Sequence, residues 1–233
     1  MVELIGSERD LLDFMRWFPD EPVKVVRDGE SFFLAGNLFE SMNEHTDVRG
    51  AAENEIELMS AAIKLNCGGL SLRPGIGTIY LTDGSGARHA FAPGINLAVK
   101  MGVEIREFDG PNQRPTSMQK CVQASRRNKS LHMAMILWSD SNRTWPRLYR
   151  ILEEVEHVFK GRKLHKIGLV TMTDYERFKH SANCSEIAGI DSRHGPSNHQ
   201  TPKHPMTIYE AERFIANLLA GAISRYTDAQ PAP

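Results

Sequence analysis

The sequence is poor in cysteine and has no long hydrophobic run, and both absences exclude classes of protein. Its three cysteines, Cys67, Cys121 and Cys184, are widely spaced, and none belongs to a CxxC pair. We therefore expect neither a disulfide framework nor a zinc knuckle. The longest apolar run, residues 133–138, is far shorter than the roughly 20 residues that a membrane-spanning helix needs. The N-terminal residues lack the basic and apolar segments of a secretory signal, so we expect a cytoplasmic protein without a membrane partner.

The sequence also lacks the motifs of the common cofactor-dependent and hydrolytic enzymes. It contains no P-loop, no GxSxG nucleophile elbow and no paired-carboxylate pattern. A glycine-containing stretch at residues 73–77 leads into a predicted strand, whereas a dinucleotide-binding loop must open a helix. We therefore predict no cofactor.

Charge is divided unevenly along a chain whose net charge is −1. Residues 1–110 carry 10 basic and 18 acidic side chains, whereas residues 111–170 carry 12 basic and 4 acidic ones. The basic segment is compatible with a nucleic-acid-binding surface. Its candidate contacts are Arg126, Arg127, Lys129 and Arg143. Two alternatives stay open: the acidic and basic parts dock on each other, or the cations form an ordinary solvated helix face.

The pattern of apolar residues predicts an α+β fold. In the first half, residues 7–17 and 47–65 have the spacing of amphipathic helices, and Asp28-Gly29 between two apolar runs predicts a β-hairpin. Further strands are predicted over residues 77–81, 88–101 and 103–108. The first half is thus predicted to be a mixed α/β segment with its strands in meander order.

The second half is predicted to be a helical bundle. Residues 116–139 lack glycine and proline, and Pro146 suits the first turn of a helix that Gly161 ends. Thr173 and Thr207 each begin a capping-box pattern at the start of a helix.

A chain of 233 residues, 41% of them hydrophobic, is long enough for one large domain or two small ones. A linker is predicted at residues 110–115, between an acidic α+β domain at 1–110 and a helical domain at 116–226. Residues 227–233 are expected to be a disordered tail.

Five of the nine histidines fall between positions 165 and 204. A metal site there would draw on His180, Cys184, His194, His199 and His204. Their spacing matches no zinc motif and no carboxylate is interleaved among the last three histidines, so no metal site is predicted. The ordinary alternative is a polar, hydrogen-bonded loop that docks the last helix.

A third interpretation of this segment uses arginine and histidine together. Arg193 precedes His199 by six positions, and Arg127 precedes His132 by five. Imidazole can move protons to or from a 2′-hydroxyl or a leaving 5′-oxygen. Guanidinium can hold the phosphate and oppose the charge of the transition state. Such a pair can cleave RNA without a metal.

Three stretches of the second half resemble a HEPN-type helical domain. Residues 131–159 read as two consecutive helices, residues 188–195 fall where that family places its arginine-polar-histidine motif, and residues 206–226 supply its closing helix. Through residues 178–183 and 203–207, the same half is also similar to a group of bacterial proteins without an assigned activity.

The resemblance implies a bundle that often dimerises with its motifs at the interface. Active members of the family are metal-independent endoribonucleases, frequently in phage defence or toxin–antitoxin systems, and many other members only bind. By position, Arg193 would hold the phosphate, His194 would be the polar residue after it, and His199 would be the catalytic histidine. Glu153 or Glu154 would orient them from the second helix.

These observations leave two hypotheses of function. In the first, the chain is a non-catalytic HEPN-like module of a bacterial defence or regulatory system that contacts protein or nucleic acid, with residues 1–110 available to a protein partner. In the second, it is a metal-independent endoribonuclease that uses Arg193 and His199, with RNA following the basic segment. A homodimer is expected from the resemblance alone.

Overall fold

The computed structural model describes residues 1–19, 23–82, 88–92, 116–192 and 201–229. The chain forms two compact units, Met1–Gln123 and Ala124–Pro233. The first contains an antiparallel sheet with helices and the second is helical, so the predicted α+β class is confirmed. The predicted linker at 110–115 lies outside the described residues.

The first unit, named the sheet unit, consists in chain order of β1 (Val2–Ile5), α1 (Glu8–Trp17), β2 (Val23–Asp28), β3 (Ser31–Gly36), a 3₁₀ turn (Asn37–Phe39), α2 (His45–Asn66), β4 (Gly75–Thr82), β5 (Arg88–Phe91) and most of α3 (Ser117–Arg127). The described strands lie in the order β2-β3-β1-β4-β5, each antiparallel to its neighbours. Two hairpins, β2–β3 and β4–β5, thus flank β1, a strand that was not predicted from the sequence. The predicted strand at 103–108 and the end of the one at 88–101 lie outside the described residues.

The hairpin between β2 and β3 is confirmed, with its turn one residue later than Asp28-Gly29. Asp28 pairs with Ser31, so Gly29 and Glu30 form a two-residue turn. Gly29 has a φ of 61°, a left-handed value that glycine adopts at little steric cost. The glycine at the first turn position thus allows a two-residue turn to join the two strands in this pairing register.

Helix α2 packs against β4 and β1 and supplies much of the core of the sheet unit. Its helical spacing places Ile56, Met59 and Ile63 in the interior, and Leu4 of β1 and Ile79 of β4 are buried as well. Burying a side chain of this size stabilises the fold by about 1.5–3 kcal/mol. The helix predicted at 47–65 is therefore confirmed, with short extensions at both ends.

Replacing Gly77 with alanine is expected to lower the free energy of unfolding of the sheet unit by about 1–3 kcal/mol. A Cβ atom at position 77 would lie 2.9 Å from Glu3 Oε2 and 3.1 Å from Glu3 Cγ. The Glu3 carboxylate accepts a hydrogen bond from the Thr78 N–H at 3.1 Å, and displacing it would weaken this link between β1 and β4. Denaturant titration measures the loss.

A matched glycine provides the control for this prediction. Gly50 lies in the interior of α2, and a Cβ atom added there would have no neighbouring heavy atom within 4 Å among the described residues, apart from the backbone of its own helix. Gly50→Ala should therefore stabilise the fold by up to about 1 kcal/mol. Equal effects at both positions would show that Glu3 readily moves aside.

Helix α3 begins with a reciprocal cap that was not predicted from the sequence. The Thr116 N–H donates to Gln119 Oε1 at 2.7 Å, and the Gln119 N–H donates to Thr116 Oγ1 at 3.1 Å. The Thr116 hydroxyl also donates to the Trp17 carbonyl at 3.0 Å. Two orphan donors at the helix start are thereby satisfied, and the start of α3 is joined to the end of α1.

Cys121 of α3 is expected to resist thiol reagents in the folded protein. Burial raises the pKa of its thiol to about 11, and the hydrogen bond from Asn66 Nδ2 to Sγ, at 3.4 Å, opposes the shift only in part. Because the thiolate is the reactive species, native protein at mildly alkaline pH should be modified at half-buried Cys67 well before Cys121. Mass spectrometry after timed labelling locates the modified residue, and equal rates at both positions would contradict this prediction.

The second unit, named the helical unit, contains the end of α3, α4 (Lys129–Ser139), α5 (Trp145–Val158), α6 (Met172–Asn183), α7 (Ser185–Ala188), a 3₁₀ turn (Gly189–Asp191) and α8 (Ile208–Asp228). Helix α5 is central, because it packs against α4, α6 and α8. Its apolar stripe is buried and consists of Leu148, Ile151, Leu152 and Val155. Within the ranges described, no helix is both long and apolar enough to span a bilayer.

An aromatic cluster joins three helices of this unit. The Phe178 ring of α6 lies 6.0 Å from Trp145 and from Tyr149 of α5, and 5.2 Å from Phe214 of α8 (centroid distances). Phe178 is fully buried, and the aromatic residues of α5 are nearly so. Phe214 is half-buried, and the other three rings belong to the core, so they do not form an exposed platform for stacking bases.

Capping side chains determine where α4 and α6 begin, and both helices begin at positions that differ from the predictions. Asn128 accepts hydrogen bonds from the N–H groups of Ser130 and Leu131, so the stretch predicted as one helix-compatible segment divides into α3 and α4. Helix α6 is capped by Thr171 rather than Thr173, two residues earlier than predicted.

The start of α8 is as predicted, and its end lies later. Thr207 and Glu210 exchange both hydrogen bonds of a capping box. The helix continues to Asp228, so the first two residues of the predicted tail are helical, and residues 230–233 lie outside the described ranges.

Candidate functional site

The residues with the most specific predicted roles, Arg193, His194 and His199, lie outside the described residues. The chain on either side of them is described. Before them, the Ser192 N–H donates to the Gly189 carbonyl at 3.2 Å and closes the 3₁₀ turn. After them, the Thr201 hydroxyl donates to the carboxylate of Glu186 in α7. The flanks of the segment are therefore linked to each other near α7.

Helix α6 holds the chain that leads from this segment into α8. Arg177 donates to the carbonyls of His204 and Pro205 at 2.8 and 2.9 Å, and to Glu210 Oε1 at 2.9 Å. The fully buried Ser181 hydroxyl accepts from the Met206 N–H at 2.8 Å. Hydrogen bonds from the Thr207 backbone and from Arg177 lower the pKa of Glu210. The N-terminus of α8 is thus fixed in position by groups on α6.

A pocket of about 350 Å³ lies among the N-terminal ends of α5 and α8 and the turn before residue 193. Its volume is at the lower end of the range of small-molecule sites. The lining combines apolar, hydroxyl and charged groups from Arg143, Thr144, Trp145, Ile187, Ala188, Asp191, Met206, Thr207 and Ile208. This pocket was not predicted from the sequence, because its walls come from three segments up to 65 positions apart in the chain.

Arg143, which was predicted as a nucleic-acid contact, is largely buried in the structure and has several partners within the helical unit. Its side chain is only 7% exposed, and its guanidinium lies 3.9 Å from the centre of the Trp138 ring. It donates to Glu212 Oε1 at 3.1 Å, to the Trp138 carbonyl at 2.7 Å and to the Asp140 carbonyl. Burial lowers the pKa of Arg143, and Glu212 opposes that shift. Arg143 thus joins the end of α4 to α8 through donors that are engaged within the helical unit, and its contact with nucleic acid stays a prediction from the sequence.

The two glutamates predicted to orient the catalytic pair lie on α5 away from the pocket lining. Glu153 is eight residues beyond Trp145, which corresponds to about 12 Å along the helix axis. Glu154 is buried and its Oε1 pairs with Arg150 at 2.8 Å. Neither side chain belongs to the described lining of the pocket.

The remaining predicted nucleic-acid contacts come together at the junction of α3 and α4. Arg127 and Lys129 are exposed, and Arg126 is half-buried. Residues 124–139 contain these three cations and no acidic residue. Tyr226 of α8 donates its hydroxyl to the Arg127 carbonyl at 3.4 Å, which ties the junction to the C-terminal turn of α8.

A second group of exposed cations follows α5 and was not singled out from the sequence. Residues 160–168, named the basic turn, present four exposed side chains: Lys160, Arg162, Lys163 and Lys166. The sequence feature that could have identified the basic turn is the complete lack of acidic residues between Glu156 and Asp174.

The residues considered for metal binding are dispersed where they are described. Cys184 is buried, whereas His180 and His204 are exposed, and His194 and His199 lie outside the described ranges. Among the residues whose placement is described, no three His, Cys, Asp or Glu side chains are grouped as metal ligands.

The HEPN-type resemblance remains a prediction from the sequence. The helical unit contains the helices that it requires at 131–159 and 206–226, but the motif itself falls in residues 193–200. Comparison of the chain with family models, with curated proteins and with solved structures finds no match.

Proposed function

We propose that the chain is a non-catalytic binding module whose helical unit holds RNA by its phosphate backbone. The observation that carries the proposal is the pair of exposed cations at the α3–α4 junction, Arg127 and Lys129, within residues 124–139, whose sequence contains no acidic residue. Lys and Arg side chains that neutralise phosphates release condensed counterions, which provides affinity without base recognition. The junction offers this chemistry on a fixed backbone, because Asn128 caps α4 between Arg127 and Lys129.

The start of α4 adds to the positive potential of the junction. The positive end of the helix dipole lies at this terminus, and Lys129 is the first residue of α4. The Asn128 side chain already accepts from the N–H groups of Ser130 and Leu131, so these groups do not bind the ligand directly. No acidic side chain in the first turn offsets the positive potential, which favours an anionic backbone beside the lysine.

The test is a binding titration of the full chain with a short, fluorescently labelled single-stranded RNA in EDTA. We expect a dissociation constant of about 1–100 µM near physiological salt, weakening as salt rises, as for backbone-dominated binding. The RNA should be intact on a denaturing gel afterwards. Absence of salt-dependent binding would refute the proposal, and cleavage in EDTA would favour the second candidate below.

The second candidate is a metal-independent endoribonuclease that uses Arg193 and His199. It is favoured by the pocket, whose lining reaches Asp191, two positions before Arg193, and by the hydrogen bond that links the flanks of the segment. Cleavage of total bacterial RNA in EDTA that disappears in both Arg193→Ala and His199→Ala would establish it. Intact RNA with the wild-type protein would count against it.

A further inference from the structure

The basic turn has the composition of an anion-binding surface. Four of its nine residues are exposed cations, and the nearest acidic residues along the chain are Glu156 and Asp174. The Glu156 carboxylate accepts a hydrogen bond from Tyr175 at 2.5 Å. The basic turn itself contains no carboxylate, so its four cations give it a high density of positive charge.

The basic turn is an ordered part of the helical unit. Leu164 is 2% exposed and anchors its centre in the core. The Lys166 N–H donates to the Lys163 carbonyl at 2.9 Å, and the Leu169 N–H donates to the Leu164 carbonyl at 3.1 Å. Gly168 has a φ of 74°, which permits the chain to turn back towards α6. The lysines thus project from a backbone with defined hydrogen bonds.

The C-terminal turn of α8 brings the basic turn and the α3–α4 junction to the same end of the bundle. Arg225 donates to the Ile167 carbonyl at 2.6 Å, and its neighbour Tyr226 donates to the Arg127 carbonyl at 3.4 Å. The Cα atoms of Arg225 and Tyr226 are about 3.8 Å apart, and their two side chains and hydrogen bonds add the remaining reach, so the two contacted carbonyls are separated by on the order of 20–25 Å at most. A duplex of that length passes about six phosphates per strand, so one nucleic-acid segment can reach both clusters.

We infer that the basic turn and the α3–α4 junction form one continuous surface that binds the phosphate backbone of a nucleic acid. This inference rests on the proposed function and extends it to a second cluster of residues. Nucleic acid fits better than a lipid surface, because Leu164 faces inward and the turn exposes no large apolar side chain for insertion. It also fits better than a protein partner, because lysine is depleted at protein–protein interfaces.

The test compares Lys163→Glu/Lys166→Glu with the wild-type chain, using the same RNA, a duplex DNA and anionic vesicles of phosphatidylserine and phosphatidylcholine. Lys160 and Arg162 are left unchanged, because cations directly after α5 also stabilise its C-terminus. We expect the double variant to bind RNA about 20-fold more weakly at about 0.1 M salt. Its log–log salt slope should fall by about 1.4, since each single-strand contact contributes about 0.7.

A matched variant, Lys24→Glu/Arg213→Glu, changes the net charge equally at exposed positions outside the surface and should bind as the wild type does. Circular dichroism verifies folding, and Lys163→Ala/Lys166→Ala should also weaken RNA binding, but to a smaller extent.

Unchanged binding by the Lys163→Glu/Lys166→Glu variant, together with weaker binding by the Arg127→Glu/Lys129→Glu variant, would overturn this inference and leave the proposed function standing. No binding by the wild-type chain would overturn both. Tighter binding to vesicles than to either nucleic acid would overturn the assignment of the ligand, and the comparison of RNA with DNA identifies the preferred backbone.

Discussion

Arg127→Glu/Lys129→Glu is expected to weaken RNA binding by about 20-fold or more at about 0.1 M salt, because two backbone contacts are lost and become repulsive. The salt slope should become less steep by about 1.4. Both side chains are exposed and lie on either side of Asn128, whose side chain caps α4. Substitution at these positions leaves the cap intact, so the fold should be retained. Fluorescence anisotropy over a series of salt concentrations measures both quantities.

The size of the salt dependence separates a backbone contact from a non-specific charge effect. Lys24→Glu/Arg213→Glu has the same change in net charge, at exposed positions on β2 and on the N-terminal half of α8. If the control variant loses as much affinity as the junction variant, binding follows overall charge and the proposed surface is wrong. A junction variant with wild-type affinity and slope would refute the role of Arg127 and Lys129 directly.

The elements that the sequence predicted are those determined by residues close together in the chain. The β2–β3 hairpin needs only two apolar runs and a glycine at the turn, and the capping box of α8 lies within four residues. Strand β1 was missed because its four residues have no local signal of comparable strength. It is defined by pairing with β3 and β4, which follow it by about 30 and 75 positions.

The candidate site was less predictable because its parts meet only through tertiary contacts. The basic turn and the α3–α4 junction are joined by Arg225 and Tyr226, which lie 58 and 99 positions from the backbone groups that they contact. Arg143 has the sequence context of a surface cation, yet its partner Glu212 is 69 positions away. The number of charged residues in a segment of sequence cannot distinguish an arginine that binds a phosphate from one whose donors are bonded within the protein.

Arg143→Ala is therefore expected to destabilise the helical unit by about 3 kcal/mol rather than to act on RNA binding. The change leaves the Trp138 and Asp140 carbonyls without their donor at the end of α4, and it removes the cation that packs on the Trp138 ring. It also leaves Glu212 without its ion-pair partner. Because that carboxylate is 35% exposed and partly solvated, its contribution to the loss of stability is small. Hydrogen exchange of peptides from α4 and α5, followed by mass spectrometry, measures the stability of this unit separately from that of the sheet unit.

Two further variants decide what the arginine contributes. Arg143→Lys should give an intermediate loss of stability, because an ammonium group keeps the charge but cannot reach both carbonyls and Glu212 with a planar fork. Arg213→Ala, at an exposed position on α8, should change the stability by no more than about 0.5 kcal/mol. If the folded Arg143→Lys variant binds RNA as the wild type does, the arginine acts within the fold. A loss of RNA affinity in that variant without a loss of stability would instead restore Arg143 to the binding surface and contradict the partners that its guanidinium has in the structure.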